Sequence, residues 1–226
     1  MIVDDARAQT YRKDNPRLRQ AFLAAVEGGS TVTAEWREHD AESWPLATVA
    51  LASAQTADLL VVAQKDRDWP QSSYLDIDDA LILGSGRPVL VVPNEGLSSL
   101  ASRRALIAWN QSREATRAVF DALPLLQQAQ DVAVLTVAAD GADLPSHRTQ
   151  PDICASLARH GVTCRATQIM EPHADIGRSL TEQAISHGAD LLVMGCYGHS
   201  RLHEFMLGGA SQHQLRHMMI PVLMSH

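Results

Sequence analysis

Two short apolar runs recur in this chain in the same order and at nearly the same spacing. ADLLVVA begins at Ala57 and ADLLVMG at Ala189, 132 residues later; RPVLVV begins at Arg87 and IPVLMS at Ile220, 133 residues later. One match alone could be chance, but two in register mark an internal duplication of one structural plan. Each run is rich in Leu and Val and too short for a core helix, which is how a strand buried on both faces reads. Strands of that kind need helices on both sides of their sheet.

Amphipathic segments alternate with these runs. Residues 10–27 carry Leu18, Ala21, Phe22 and Ala25 on one helical face, and Gly28-Gly29 stop them. Residues 31–38 (TVTAEWRE) alternate like a half-buried strand, 44–55 and 77–83 read as helices flanking the strand at 57–63, and 88–92 is a further strand. The pattern then restarts with strand 105–108, helix 112–126, strand 131–138, helix 151–160 closed by Gly161, strand 163–170 and helix 175–187 closed by Gly188. Strand 191–194, a loop, a helical pattern with Leu215, Met218 and Met219, and a last strand at 222–224 complete it. This alternation predicts an α/β fold, a doubly wound parallel sheet of five strands in the order 3-2-1-4-5. Shifting the second half back by 132 residues puts its first strand and helix before Met1 and its second strand at about Ile2-Val3. The chain is therefore expected to hold a truncated unit at 1–95 and a complete unit at 103–226. Strand 1 is central in that order, so losing it should pair strands 3 and 4 of the first unit directly or leave an edge for another chain to cover.

Composition narrows the functional classes. The net charge is −7, and the adjacent basic residues amount to pairs such as Arg12-Lys13 and Arg103-Arg104, which argues against nucleic-acid or anionic-membrane partners. No apolar run approaches the roughly 18 residues of a membrane span. The opening MIVDDARAQTYRKDN lacks the basic-then-apolar pattern of a signal peptide, so a cytoplasmic location is expected. Cys154, Cys164 and Cys196 fit reduced thiols better than a disulfide framework.

The second copy of the repeat differs from the first just after its apolar run. Gly195, Gly198 and then Gly208-Gly209-Ala210-Ser211 space a loop between a strand and a helix, where backbone N–H groups and a helix dipole favour an anion. Gly195 and Gly198 would let the backbone approach a phosphate or ribose, Gly208 and Gly209 would expose N–H groups, and Ser211 could cap the helix or donate to a phosphate. A tight turn with an ordinary Ser N-cap is the plain alternative.

Taken together these residues resemble the universal stress protein family in its tandem form. The family's nucleotide pattern is G-x2-G-x9-G-(S/T); Gly195, Gly198 and Gly208 fit its spacing, Gly209 departs from it, and Ser211 follows two residues later. The resemblance implies that the second unit binds ATP or a related adenine nucleotide, with or without Mg. It implies contacts from Gly195, Gly198, His199, Gly208, Gly209, Ala210 and Ser211, from Ala108, Trp109 and Asn110 ending the first strand, and from Val137 beneath the adenine. Where the family carries Asp, this chain has Asn110, which hydrogen-bonds but supplies no carboxylate for a metal or for base chemistry. Ser112 reads as the N-cap of the next helix. The first unit has Ala63-Gln64-Lys65-Asp66 where the second has Gly195-Cys196-Tyr197-Gly198, and is not expected to bind nucleotide. Family members dimerise by pairing last strands, and tandem chains can do so internally. With a truncated half, a homo-oligomer formed through the exposed edge and last strands is the expected assembly.

Other constellations add little. His199/His203 and His213/His217 have helical metal-ligand spacing and Cys196 is near, but no HExxH pattern accompanies them, so no zinc site is expected. No G-x-S-x-G elbow or P-loop lysine is present, which favours binding over turnover; Arg201 reads as a surface residue. Three functions follow in descending order: a regulatory nucleotide-binding module, a nucleotide-independent interaction protein, and a slow Mg-dependent ATPase.

Overall fold

The computed structural model describes residues 2–27, 33–39, 45–65, 77–96, 103–139, 149–171, 175–196 and 209–226. They fall into two compact units, Met1–Ser43 and Trp44–His226. The boundary expected from the repeat, between 95 and 103, lies inside the second of these.

The first compact unit carries helix α1 (Ile2–Glu27) with Pro16 inside it. It begins at Ile2, where the repeat offset had predicted the remnant of a strand. On the face predicted to be apolar, Leu18 is exposed and Phe22 half-buried, the Phe22 ring centroid lying 5.4 Å from that of Trp36. The strand predicted at 31–38 does not form among the described residues 33–39. Those residues are exposed except for Trp36, and among the described residues no strand pairs with them. Short-range side-chain bonds replace a ladder: Trp36 donates to Glu38 at 2.6 Å and Arg37 to Glu35 at 2.8 Å.

The second compact unit runs α2 (Leu46–Ala54), β1 (Leu60–Ala63), α3 (Ile77–Gly84), β2 (Val89–Val92), β3 (Arg104–Ala108), α4 (Arg113–Asp121) and α5 (Leu123–Leu126). It continues with β4 (Asp131–Ala139), α6 (Thr149–Arg159), β5 (Cys164–Glu171), α7 (Ile176–His187), β6 (Leu191–Gly195), α8 (Gly209–His217) and β7 (Val222–Ser225). The helix predicted over 112–126 is divided at Ala122, because Pro124 in the next turn has no N–H to continue the ladder. Among the described residues no helix is long and apolar enough to cross a membrane.

One sheet of seven strands, in the order β1-β2-β7-β6-β3-β4-β5, joins both repeats. Every neighbouring pair is parallel except β2 and β7. The sheet exceeds five strands because the last strand of each repeat bonds to the other across that antiparallel pair. Leu90 stands opposite Leu223, and these are the same repeat position 133 residues apart, so a local two-fold axis passes between them. Pairing of last strands between two chains, expected above as a route to assembly, is thus already made within one chain. The sheet ends at β1 on one side and β5 on the other.

Both faces are covered. Ala54 of α2, Leu81 and Ile82 of α3, and Leu180 and Ala184 of α7 pack with Val89, Val91, Leu106, Leu135, Leu192 and Val222 on one face. Ala115, Ala118 and Val119 of α4, Leu126 of α5, and Ile153 and Leu157 of α6 pack with Leu90, Ile107, Val134, Val193 and Leu223 on the other. β1 turns Leu60 and Val62 toward the first of these cores, while Val61 is 59% exposed.

Candidate functional site

At β3 the chain changes its direction of travel across the sheet, with β4 on one side and β6 on the other. In open α/β sheets the segments leaving such a pair diverge and open a crevice at the carboxyl ends of the strands. By that rule a crevice is expected beyond Ala108 and Gly195.

Strand alternation sorts the residues around it. Ala105, Ile107 and Trp109 point to the face covered by α4 to α6, while Leu106 and Ala108 point to the face covered by α7. Ala108, Val137 and Ala210, three of the residues predicted to bind nucleotide, are each partly buried against that same core. Trp109 is separated from them. Its side chain is buried on the opposite face with Nε1 unpartnered among the described residues. Its N–H donates to Leu135 O at 2.8 Å, and its carbonyl accepts from Thr136 Oγ1 at 2.8 Å.

The turn out of β3 is tightly specified. Asn110 Oδ1 accepts the N–H of Ser112 at 3.1 Å, Gln111 takes a left-handed φ of 63°, and Ser112 Oγ accepts the N–H of Ala115 at 3.0 Å. An Asx-type turn thus feeds directly into an N-cap, and α4 starts with little slack. Asn110 remains exposed, and among the described residues its carbonyl oxygen alone is engaged.

That abrupt start lays α4 on the end of β6. A Cβ at Gly195 would lie 2.3 Å from Ala115 N and 2.4 Å from Glu114 C. Gly195 thus has a packing reason to be glycine, independent of any ligand. Cys196 follows, fully buried, its N–H donating to Ser225 O at 2.9 Å and its carbonyl 3.2 Å from His226 Nδ1. Burial pushes the Cys196 thiol up to about 12, partly opposed by a hydrogen bond from the Ser211 hydroxyl. Ser211 is accordingly turned inward and buried rather than presented to the loop. Gly209, the first residue of α8, has open space where its Cβ would be.

Gly198, His199 and Gly208, together with Arg201 and His203, lie outside the described residues. Of the C-terminal histidines, the rings of His213 and His217 are 4.7 Å apart and His213 Nδ1 is 3.9 Å from Asp175 Oδ1. Among the described residues no group of three His, Cys, Asp or Glu is placed to hold a metal ion.

Sequence reasoning missed Gln111, whose left-handed backbone has no glycine or asparagine to announce it, and Ser225. Ser225 pairs with Gly195 in the ladder and donates to Asp121 at 2.9 Å, while Arg117 lies 3.5 Å from the same carboxylate and donates to Gly86 O. This network ties α4 to the two-fold seam. Ser225 carries no motif, so only its place beside Gly195 in the repeat could have found it.

Comparison with known proteins bears on this site. The model of the universal stress protein family matches residues 101–226. A universal stress protein from Archaeoglobus fulgidus DSM 4304 superposes with a TM-score of 0.68 at 16% identity, covering 98% of this chain and 77% of that one. One from Burkholderia pseudomallei gives 0.43 at 22% identity, covering 56% and 97%. An Arabidopsis thaliana protein of the same family, with AMP bound, gives 0.40 at 16% identity, covering 54% and 90%. No curated protein sequence matches the chain.

Proposed function

The chain belongs to the universal stress protein family, and from that premise we propose that residues 103–226 bind ATP or a related adenine nucleotide as a regulatory ligand. The crevice beyond β3 and β6 would receive it, in a cytoplasmic stress-response protein. The observation that supports this reading is that Ala108, Val137 and Ala210 are each partly buried against one core, the core of the face toward which Ala108 points at the end of β3. An adenine ring needs a flat apolar floor with a hydrogen-bonding group at its rim, and a triphosphate needs backbone N–H groups and a helix start. Those three residues would make the floor, and the exposed Asn110 would offer its amide NH2 at the rim. The loop of Gly195, Gly198, His199 and Gly208 and the first turn of α8 at Gly209 would take the phosphates. Ser211 and Trp109 support this site from behind, Ser211 by anchoring α8 on Cys196 and Trp109 by filling the opposite core. Asn110 can orient a ribose but cannot ligate a metal as a carboxylate would, so holding the nucleotide is favoured over hydrolysing it.

Calorimetric titration of the full chain with ATP, ADP and AMP, alongside acid extraction of co-purified nucleotide, tests this. One saturable site, lost in Gly198→Val while the far-ultraviolet spectrum is retained, is the expected outcome. A folded protein that carries no nucleotide and shows no saturable binding into the millimolar range refutes it. Phosphate release measured in the same samples with Mg²⁺ separates binding from turnover.

A second reading rests on the exposed Val61 at the β1 edge of the sheet. With the last strands paired internally, self-association would use that edge. Sedimentation across a concentration series checks it: dimers that dissociate in Val61→Lys support the edge, and a strict monomer rejects it.

A further inference from the structure

Away from the crevice, the fold brings two of the three cysteines together. Cys154 lies on α6 and Cys164 opens β5. The stop between them sets their relative height: Gly161 has φ +82°, its N–H donates to Ala158 O at 3.0 Å, and the N–H of Val162 donates to Leu157 O at 3.0 Å. Such a left-handed helix stop lays the residue after the glycine onto the last turn. Val162 and Leu157 are accordingly both buried in one core. Cys154 is one turn back from Leu157 on the same helix face, and Cys164, the first residue of β5, is two residues past Val162 and packs against the same core. Three helical residues advance about 4.5 Å and two strand residues about 6.6 Å, so the two side chains arrive at similar depth. Both are half-buried against that core, and Cys154 stands near enough to Cys164 to raise its thiol.

We propose that Cys154 and Cys164 form a reversible intrachain disulfide, a redox modification site that reacts with low-molecular-weight disulfides. Burial, and then the neighbouring Cys154, push the Cys164 thiol up to about 12, so Cys164 keeps its proton and the first attack falls to Cys154. The Cys154 thiolate bonds to one sulfur of the reagent and expels the other half as a thiolate. Cys164 then passes its proton to that thiolate, attacks the Cys154 sulfur and expels the second half. The protein's two thiols lose two electrons and two protons, and the reagent leaves as two thiols. The product ties α6 to β5, a strand at the end of the sheet. Cys196 takes no part, being fully buried on the other core.

The full chain in glutathione buffers of graded oxidised-to-reduced ratio, acid-quenched, alkylated and mapped by mass spectrometry, tests this. At the oxidising end two alkylatable thiols per chain should be lost, a peptide joining Cys154 to Cys164 should appear, and Cys196 should stay alkylatable after denaturation. Reducing buffer should restore both thiols. Cys164→Ser should instead retain a glutathione adduct on Cys154, and Cys154→Ser should leave Cys164 unmodified. Survival of both thiols in wild-type protein at the oxidising end, or separate stable adducts on both, would overturn the proposal. The wild-type result decides even if a variant fails to fold.

Discussion

Gly195→Ala should destabilise the second compact unit severely, with or without nucleotide. The added methyl would sit 2.3 Å from Ala115 N, 2.4 Å from Glu114 C and 2.8 Å from Ala115 Cα, all of them backbone atoms. Ordinary contact begins at 3.4 Å, so α4 must retreat by about 1.1 Å at its first turn (from 2.3 to 3.4 Å). That turn is fixed by the Ser112 cap, and behind it Ala115, Ala118 and Val119 are essentially unexposed. No flexible side chain can absorb the overlap. Overpacking costs about 1–3 kcal/mol where side chains can yield, and a backbone collision belongs at or above the upper end. Gly209→Ala is the control: nothing lies within 4 Å of that Cβ, and the change should fall within about 1 kcal/mol of wild type, on the stabilising side. With a urea m-value of about 2–3 kcal/mol/M, a 3 kcal/mol loss moves the midpoint by 1 M or more. Equilibrium unfolding by circular dichroism reads both variants. If Gly195→Ala melts with wild type while nucleotide affinity falls, the close approach of α4 is wrong and the glycine serves the ligand alone.

Three further outcomes follow from particular contacts. Ser112→Ala removes the oxygen that accepts the N–H of Ala115 and should cost about 1 kcal/mol of unfolding free energy, with Ser112→Thr recovering most of it. Leu90→Ala and Leu223→Ala, each removing a buried side chain at the two-fold seam, should each cost about 2–5 kcal/mol. The double variant should depart from additivity by about 0.5 kcal/mol or more, and strict additivity would mean the pair does not pack as one. His187 is held below its ordinary value by burial and by Arg165, whose guanidinium contacts Nδ1 at 2.6 Å, against the opposing pull of Asp131. A depressed histidine contributes stability that is present above about pH 6.5 and lost as pH falls through its folded value. The urea midpoint should therefore drop between pH 7.5 and 5.5, and His187→Gln should flatten that slope; equal slopes in the two proteins would refute it.

The residues show why much of the fold, and less of the site, was legible beforehand. Runs such as ADLLVMG and RPVLVV specify buried strands through local composition, and caps such as Ser112, Gly161 and Gly188 punctuate the helices within a few residues of themselves. The alternation at 31–38 is equally local, yet a half-buried strand is stable only beside a partner, and among the described residues no strand pairs with it. Helix α1 occupies the place where the repeat offset predicts a strand remnant. The site depends on long-range placement. Glycine at 195 was visible, but its neighbour across space is residue 115, and no spacing rule connects the two. Ser211 reads as a loop-facing cap until Cys196 is seen to draw its hydroxyl inward. Trp109 was assignable in principle: it shares parity with Ala105 and Ile107, and counting by two from those residues sends its ring to the face opposite Ala108. The same counting joined to a helical turn places Cys154 beside Cys164 once Gly161 is recognised as a left-handed stop. Parity and cap geometry thus carry more information about which side chains meet than the motif spacing does. Motif spacing still matters at the loop, because a glycine there licenses close approach without saying whether a helix or a phosphate makes it.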